Sequence, residues 1–165
     1  REALIKVVRD RLPEINFVSH VDNQTGGLWG TDYMDAMSRS RCGLNLSRER
    51  EGPFNLAADE DLHVYSSDRV SILTGNGVLA FTHRKYNLDK LFSEEEMVFY
   101  NSNDDLIDKI DYFLKNHDDR RRVAKNGWLK AHRELNERLA AQYIIDILLG
   151  EELSHPYIWP TEQII

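Results

Sequence analysis

The chain has 165 residues, the length of one ordinary domain, and its 21 Lys and Arg against 28 Asp and Glu give a net charge of −7. That acidic balance excludes a general nucleic-acid grip, which needs a basic face to release counterions, and 41% hydrophobic with 30% charged residues excludes the disordered class. One cysteine, Cys42, excludes a disulfide framework and a multi-cysteine zinc site, so a reducing, cytoplasmic setting is the expectation.

Leu4, Ile5, Val8 and Leu12 recur at helical spacing, and the helix should end before Pro13. No capping residue precedes it, so we expect the natural sequence to continue upstream. The charged residues among the first eleven leave no apolar stretch for a signal peptide. Ile15 to Val21 (INFVSHV) reads as a buried strand, followed by the turn-rich DNQTGG. Thr31 is placed to cap a short helix carrying Tyr33, Met34 and Met37, and Gly43 to Ser47 (GLNLS) is a second strand. Arg48 to Asp61 is polar and without periodicity, a length of loop that tends to carry function.

Ser66 or Ser67 can cap a helix through Val70, Ile72 and Leu73 to the Gly75-Asn76-Gly77 stop. Val78 to Phe81 and Met97 to Tyr100 are the third and fourth strands. Ser102 and Asp105 stand at capping-box spacing before the apolar stripe of Leu106, Ile107, Ile110, Phe113 and Leu114. His117 to Asn126 is a further short helix closed by Gly127. Asn136 then caps a last helix carrying Leu139, Tyr143, Ile144, Ile147 and Leu148, which Gly150 ends. No apolar run approaches the ~20 residues of a spanning helix, since Asp146 interrupts the best candidate. Strands alternating with helices imply an α/β parallel sheet over residues 1–150, with 151–165 as an extended, lightly packed tail.

In such a sheet, ligands sit outside the carboxyl ends of the strands. That rule selects His20 to Gly30, Arg48 to Asp68, Thr82 to Asn87, and the chain at Asn101. Ser67, Asp68 and Arg69 open a helix there, and a helix N-terminus with a guanidinium fork suits a diphosphate. His83-Arg84-Lys85 adds three potential cations. Each feature has a plainer counterpart: the serines as ordinary caps, Arg69 paired with Asp68, Asp61 or Glu60, and the basic triplet as a solvated turn. The six histidines show no metal-binding HxxxH or HxH spacing, and Cys42 reads as a small buried hydrophobe. GxGxxG, P-loop and GxSxG motifs are all missing from the sequence.

Taken together, SRCGLNLS, YSSDRVSILTGNGVLAFTHR and LFSEEEMVFYNSNDDLIDKIDYFLKNHDDRRRVAKNGWLKAHRELN resemble the C-terminal domain of group 1 glycosyltransferases, two-Rossmann-domain (GT-B) enzymes. The similarity runs from about residue 30 to 148 and rests on the order of its motifs. It implies a Rossmann-like domain that binds a nucleotide diphosphate sugar, with the acceptor held by a separate N-terminal domain and no bound metal or cofactor. By position it places Ser67, Asp68 and Arg69 at the diphosphate or sugar, Asn45 and Arg48 along the same cleft, and His20 near the base. Many relatives carry Glu three residues after that arginine, for the ribose hydroxyls; here the position is Ile72. The expected function is the donor-binding half of a hexose-transferring enzyme, inactive as a transferase on its own. The alternative is a non-catalytic Rossmann-like binding domain that has lost the donor site.

Overall fold

Three short parallel strands form the centre of the computed structural model, which describes residues 2–18, 28–46, 67–150 and 152–159. The elements in chain order are α1 (Glu2–Arg11), α2 (Gly30–Ser38), β1 (Cys42–Asn45), α3 (Asp68–Gly75) and β2 (Leu79–His83), followed by β3 (Val98–Tyr100), α4 (Asn103–Lys115), α5 (His117–Glu134) and α6 (Glu137–Leu149). Two 3-10 turns, Arg84–Tyr86 and Leu88–Lys90, lie between β2 and β3. Strand β2 is central, with Asn45 opposite Thr82 in one pairing and Thr82 opposite Phe99 in the other. This is the expected α/β, Rossmann-like arrangement of a parallel sheet flanked by helices.

The period of two along β2 divides the core. Leu79 and Phe81 point to one face, where Val8 of α1 and Leu12 just beyond it, Leu106, Ile107 and Ile110 of α4, and Val123 of α5 cover them. Val78 and Ala80 point to the other, against Met37 of α2 and Val70 and Leu73 of α3. Burial on both faces explains why these strands read as continuous apolar runs. Cys42, at the start of β1, has its thiol pushed up to about 11 by burial, which the nearby Arg120 and Arg41 only partly offset. A protonated thiol there behaves as the small hydrophobe expected.

Several expectations need correction. Ile15 to Val18 belong to no strand, and 19–21 lie outside the described residues. The Phe17 N–H instead donates to the Ile15 carbonyl at 3.0 Å, while Ile15 and Phe17 pack against the core; apolar β-branched residues here report burial, not a ladder. Helix α2 begins at Gly30, with Trp29 in the cap position, so Thr31 is inside the first turn. Strand β1 ends at Asn45, and Ser47 lies outside the described residues.

Gly127 does not close a helix. It is buried in the middle of α5, where a Cβ would meet the Glu96 carbonyl oxygen at 2.3 Å. The glycine lets α5 press against the turn that leads into β3. Gly127→Ala should therefore lower stability by about 1–3 kcal/mol, the usual cost of overpacking, despite the ~1 kcal/mol that alanine gains in a helix interior. Chemical denaturation of both proteins measures this; an unchanged midpoint would show that the Glu96 turn yields freely.

The tail from 152 to 159 has no helix or strand and its residues 152–156 are exposed, but it is tied to α6 at specific points. The buried Asp146 carboxylate of α6 accepts from Tyr157 Oη (2.7 Å), Ser154 N (2.9 Å), Ser154 Oγ (2.8 Å) and Gln142 Nε2 (2.7 Å). Tyr143 packs against Tyr157 and Trp159 with ring centroids 5.3 and 5.4 Å apart. Bonds from Tyr157, the Ser154 N–H and Gln142 hold this carboxyl well below the usual range. A folded-state pKa below the unfolded value, about 3.9, gives stability that is present above that value and lost as pH falls below it. The Ser154 amide should thus lose hydrogen-exchange protection when the protein is taken from about pH 6 to about pH 3. Asp146→Asn should abolish that pH dependence, and equal protection at both values would show that something else holds the tail.

Candidate functional site

The carboxyl edge of the sheet is built on a stack of polar groups that bridges three elements. At the end of β1, Asn45 is fully buried. Its Nδ2 donates to Thr82 Oγ1 of β2 at 3.2 Å, and its Oδ1 accepts from Ser67 Oγ at 2.9 Å. A buried amide tolerates this position because both of its ends find partners. The serine is the cap residue of α3, but its side chain makes no bond to the helix backbone. It ties the helix start to β1 instead. The first turn is served by Asp68, whose Oδ1 accepts the Arg69 N–H at 2.9 Å.

Arg69 leans across the same edge. Its Nη2 donates to the Leu46 carbonyl at 3.0 Å, just beyond β1. No carboxylate among the described residues pairs with it, so the surface ion pair with Asp68 is not what the side chain makes. Its Nε is the one buried side-chain nitrogen or oxygen without a partner among the described residues. A buried guanidinium nitrogen left unbonded carries a desolvation cost. Asn45, Ser67, Asp68 and Arg69 are therefore brought together, whereas Arg48 and His20 lie outside the described residues.

The basic triplet disperses. His83 Nδ1 accepts the Lys85 N–H at 3.0 Å, and the ring packs at 5.1 Å from Tyr100. Arg84 turns away to Asp89 (3.0 Å) and Glu94 (2.5 Å), with its guanidinium over the Phe99 ring. Hydrogen bonds to Glu94 and Asp89 push its pKa further up. This arginine fastens the turn between β2 and β3. At the start of α4, the Asn101 N–H donates to Asp105 Oδ2 and the Asp105 N–H to Ser102 Oγ, so that helix end is occupied by its own caps.

Sequence reasoning missed Thr82 and the Leu46 carbonyl as parts of the stack. The signal for Thr82 was its place at a strand end, opposite Asn45 once the parallel register is known. No group of three or more His, Cys, Asp or Glu among the described residues is placed to share a metal ion, and no helix among them is long and apolar enough to cross a membrane.

The sequence profile of a family described as glycosyl transferase-like matches residues 1–146. It reaches the first residue, whereas the motif resemblance begins only near residue 30. No curated protein and no solved structure matches the chain.

Proposed function

This chain belongs to the glycosyl transferase-like family, and on that premise we propose that it is the nucleotide-sugar-binding half of a GT-B glycosyltransferase, in the C-terminal position. The observation that carries the reading is Arg69: a guanidinium at the carboxyl edge of a parallel sheet, beside a helix start, with Nε buried and unbonded. Together with the first N–H groups of α3, and with Arg48, it stabilises the negative charge that builds on a diphosphate as the glycosyl bond breaks. Asn45 and Ser67 position that helix start, and His20, outside the described residues, is assigned by the resemblance to the base. Hexose from a nucleotide diphosphate sugar goes to an acceptor held by a second, N-terminal domain, without a resident metal or cofactor.

A second reading, a binding domain that has lost the donor site, draws on Ile72. Where many relatives place an acidic ribose contact, this side chain is half-buried against the core face shared by α2 and α3. The test is calorimetric titration of the 165-residue chain with UDP, GDP and ADP. Saturable binding of one of them is the expected result. Failure of all three to bind would leave the second reading in place.

A further inference from the structure

The opposite edge of the sheet holds a cleft of about 430 Å³, lined by Arg41 just before β1, Gly77 just before β2, and Arg120, Arg121, Lys125 and Trp128 of α5. It lies one strand length from Asn45, about 13 Å at ~3.3 Å per residue, so it is not the donor edge. We propose that this cleft binds a phosphoryl group, one oxyanion against the arginines and the remainder of the ligand against the Trp128 ring.

Arg120 carries the argument. Its residue is 8% exposed, and the hydrogen bond recorded for its side chain runs from Nη1 to the Phe113 carbonyl at 3.3 Å. A nearly buried cation needs a counter-charge, yet no carboxylate among the described residues pairs with it. Arg41 and Lys125 likewise have no carboxylate partner among the described residues, and Arg121 has only Asp118 at 3.9 Å, both fully at the surface. Among the described residues, no acidic side chain lines the cleft. Four cations gathered without acids in a chain of net charge −7 set up a local positive potential.

The end of α3 that opens into the cleft does not oppose an anion. A helix C-terminus normally presents unpaired carbonyls, but here each has a donor: Ile72 from Asn76 N (3.2 Å), Leu73 from Val78 N (3.0 Å), Thr74 from Gly77 N (3.0 Å) and Gly75 from His132 Nε2 (3.0 Å). Trp128 presents a partly open ring, 4.6 Å from His132, and a planar guanidinium fork suits phosphate oxygens.

The phosphoryl group can come from a free phosphorylated compound or a lipid headgroup, and two probes separate these. The full chain is labelled with ¹⁵N, and the Trp128 indole signal is assigned through Trp128→Phe. Inorganic pyrophosphate should shift that signal saturably. The Arg121→Gln/Lys125→Gln double variant, both at exposed positions, should weaken binding about tenfold or more, the scale of losing one charge-assisted hydrogen bond. Arg69→Ala should leave this shift unchanged. Co-sedimentation with phosphatidylglycerol vesicles but not phosphatidylcholine vesicles, lost in the double variant, would assign the group to a lipid headgroup. If neither probe reaches Trp128, or if the double variant binds pyrophosphate as tightly as the parent, the inference is overturned. The donor-site reading is untouched by either outcome.

Discussion

Arg69→Ala should weaken nucleoside diphosphate binding by about 1.5–3 kcal/mol, roughly ten- to a hundredfold, the range for hydrogen bonds to charged groups. The side chain reaches the sheet edge through one bond, Nη2 to the Leu46 carbonyl, which leaves the rest of the fork for a ligand. Arg69→Lys should recover only part of the loss, because an ammonium cannot make a two-pronged contact with a diphosphate. Thermal stability should fall by no more than about 1 kcal/mol, since the substitution removes one hydrogen bond from a partly exposed residue and no core volume. Titrating UDP and GDP into the parent and both variants decides it. Equal affinity in all three would remove Arg69 from the site, and most of the donor reading with it.

What the sequence made legible, and what it hid, follows from the range of each signal. Ser102 and Asp105 cap α4 as expected because the bond spans three residues and needs nothing else. Val78 to Phe81 could be read as a strand because burial on both faces leaves a continuous apolar run. Gly127 was misread because a glycine that ends a helix and a glycine that admits a neighbouring carbonyl look alike in one dimension. Ile15 and Phe17 misled in the same way: their burial was visible, but the absence of a strand partner was not.

The site divides along the same line. Ser67, Asp68 and Arg69 were legible because a helix start is a local event. His83-Arg84-Lys85 looked like a cationic trio, but a 3-10 turn sends Arg84 to Asp89 and Glu94, five and ten residues on. The link from Asn45 to Thr82 spans 37 residues and exists only in this strand register, which no local pattern encodes. The four cations lining the cleft at the opposite edge come from two separate segments, Arg41 before β1 and the other three from α5, so their gathering is a property of the fold.

Asn45→Ala should cost about 2–4 kcal/mol, the largest stability effect at this edge. It strips partners from Ser67 and from the fully buried Thr82, and a buried polar group left unsatisfied costs about 1–3 kcal/mol. Thr82 lies in the central strand, where its hydroxyl has no route to water, so it cannot recover the lost bond from solvent. Ser67→Ala alone should cost less, because the serine is only partly buried. The two changes share one hydrogen bond, and the double variant should therefore fall short of the sum by about 1 kcal/mol. Urea denaturation of the four proteins measures the coupling. Strict additivity would mean that the 2.9 Å contact contributes nothing, and that α3 is held in place by the packing of Val70 and Leu73 and by its other hydrogen bonds. A coupling near the expected value would instead make Asn45 the group that sets where α3 begins, and so where Arg69 stands relative to the end of β1.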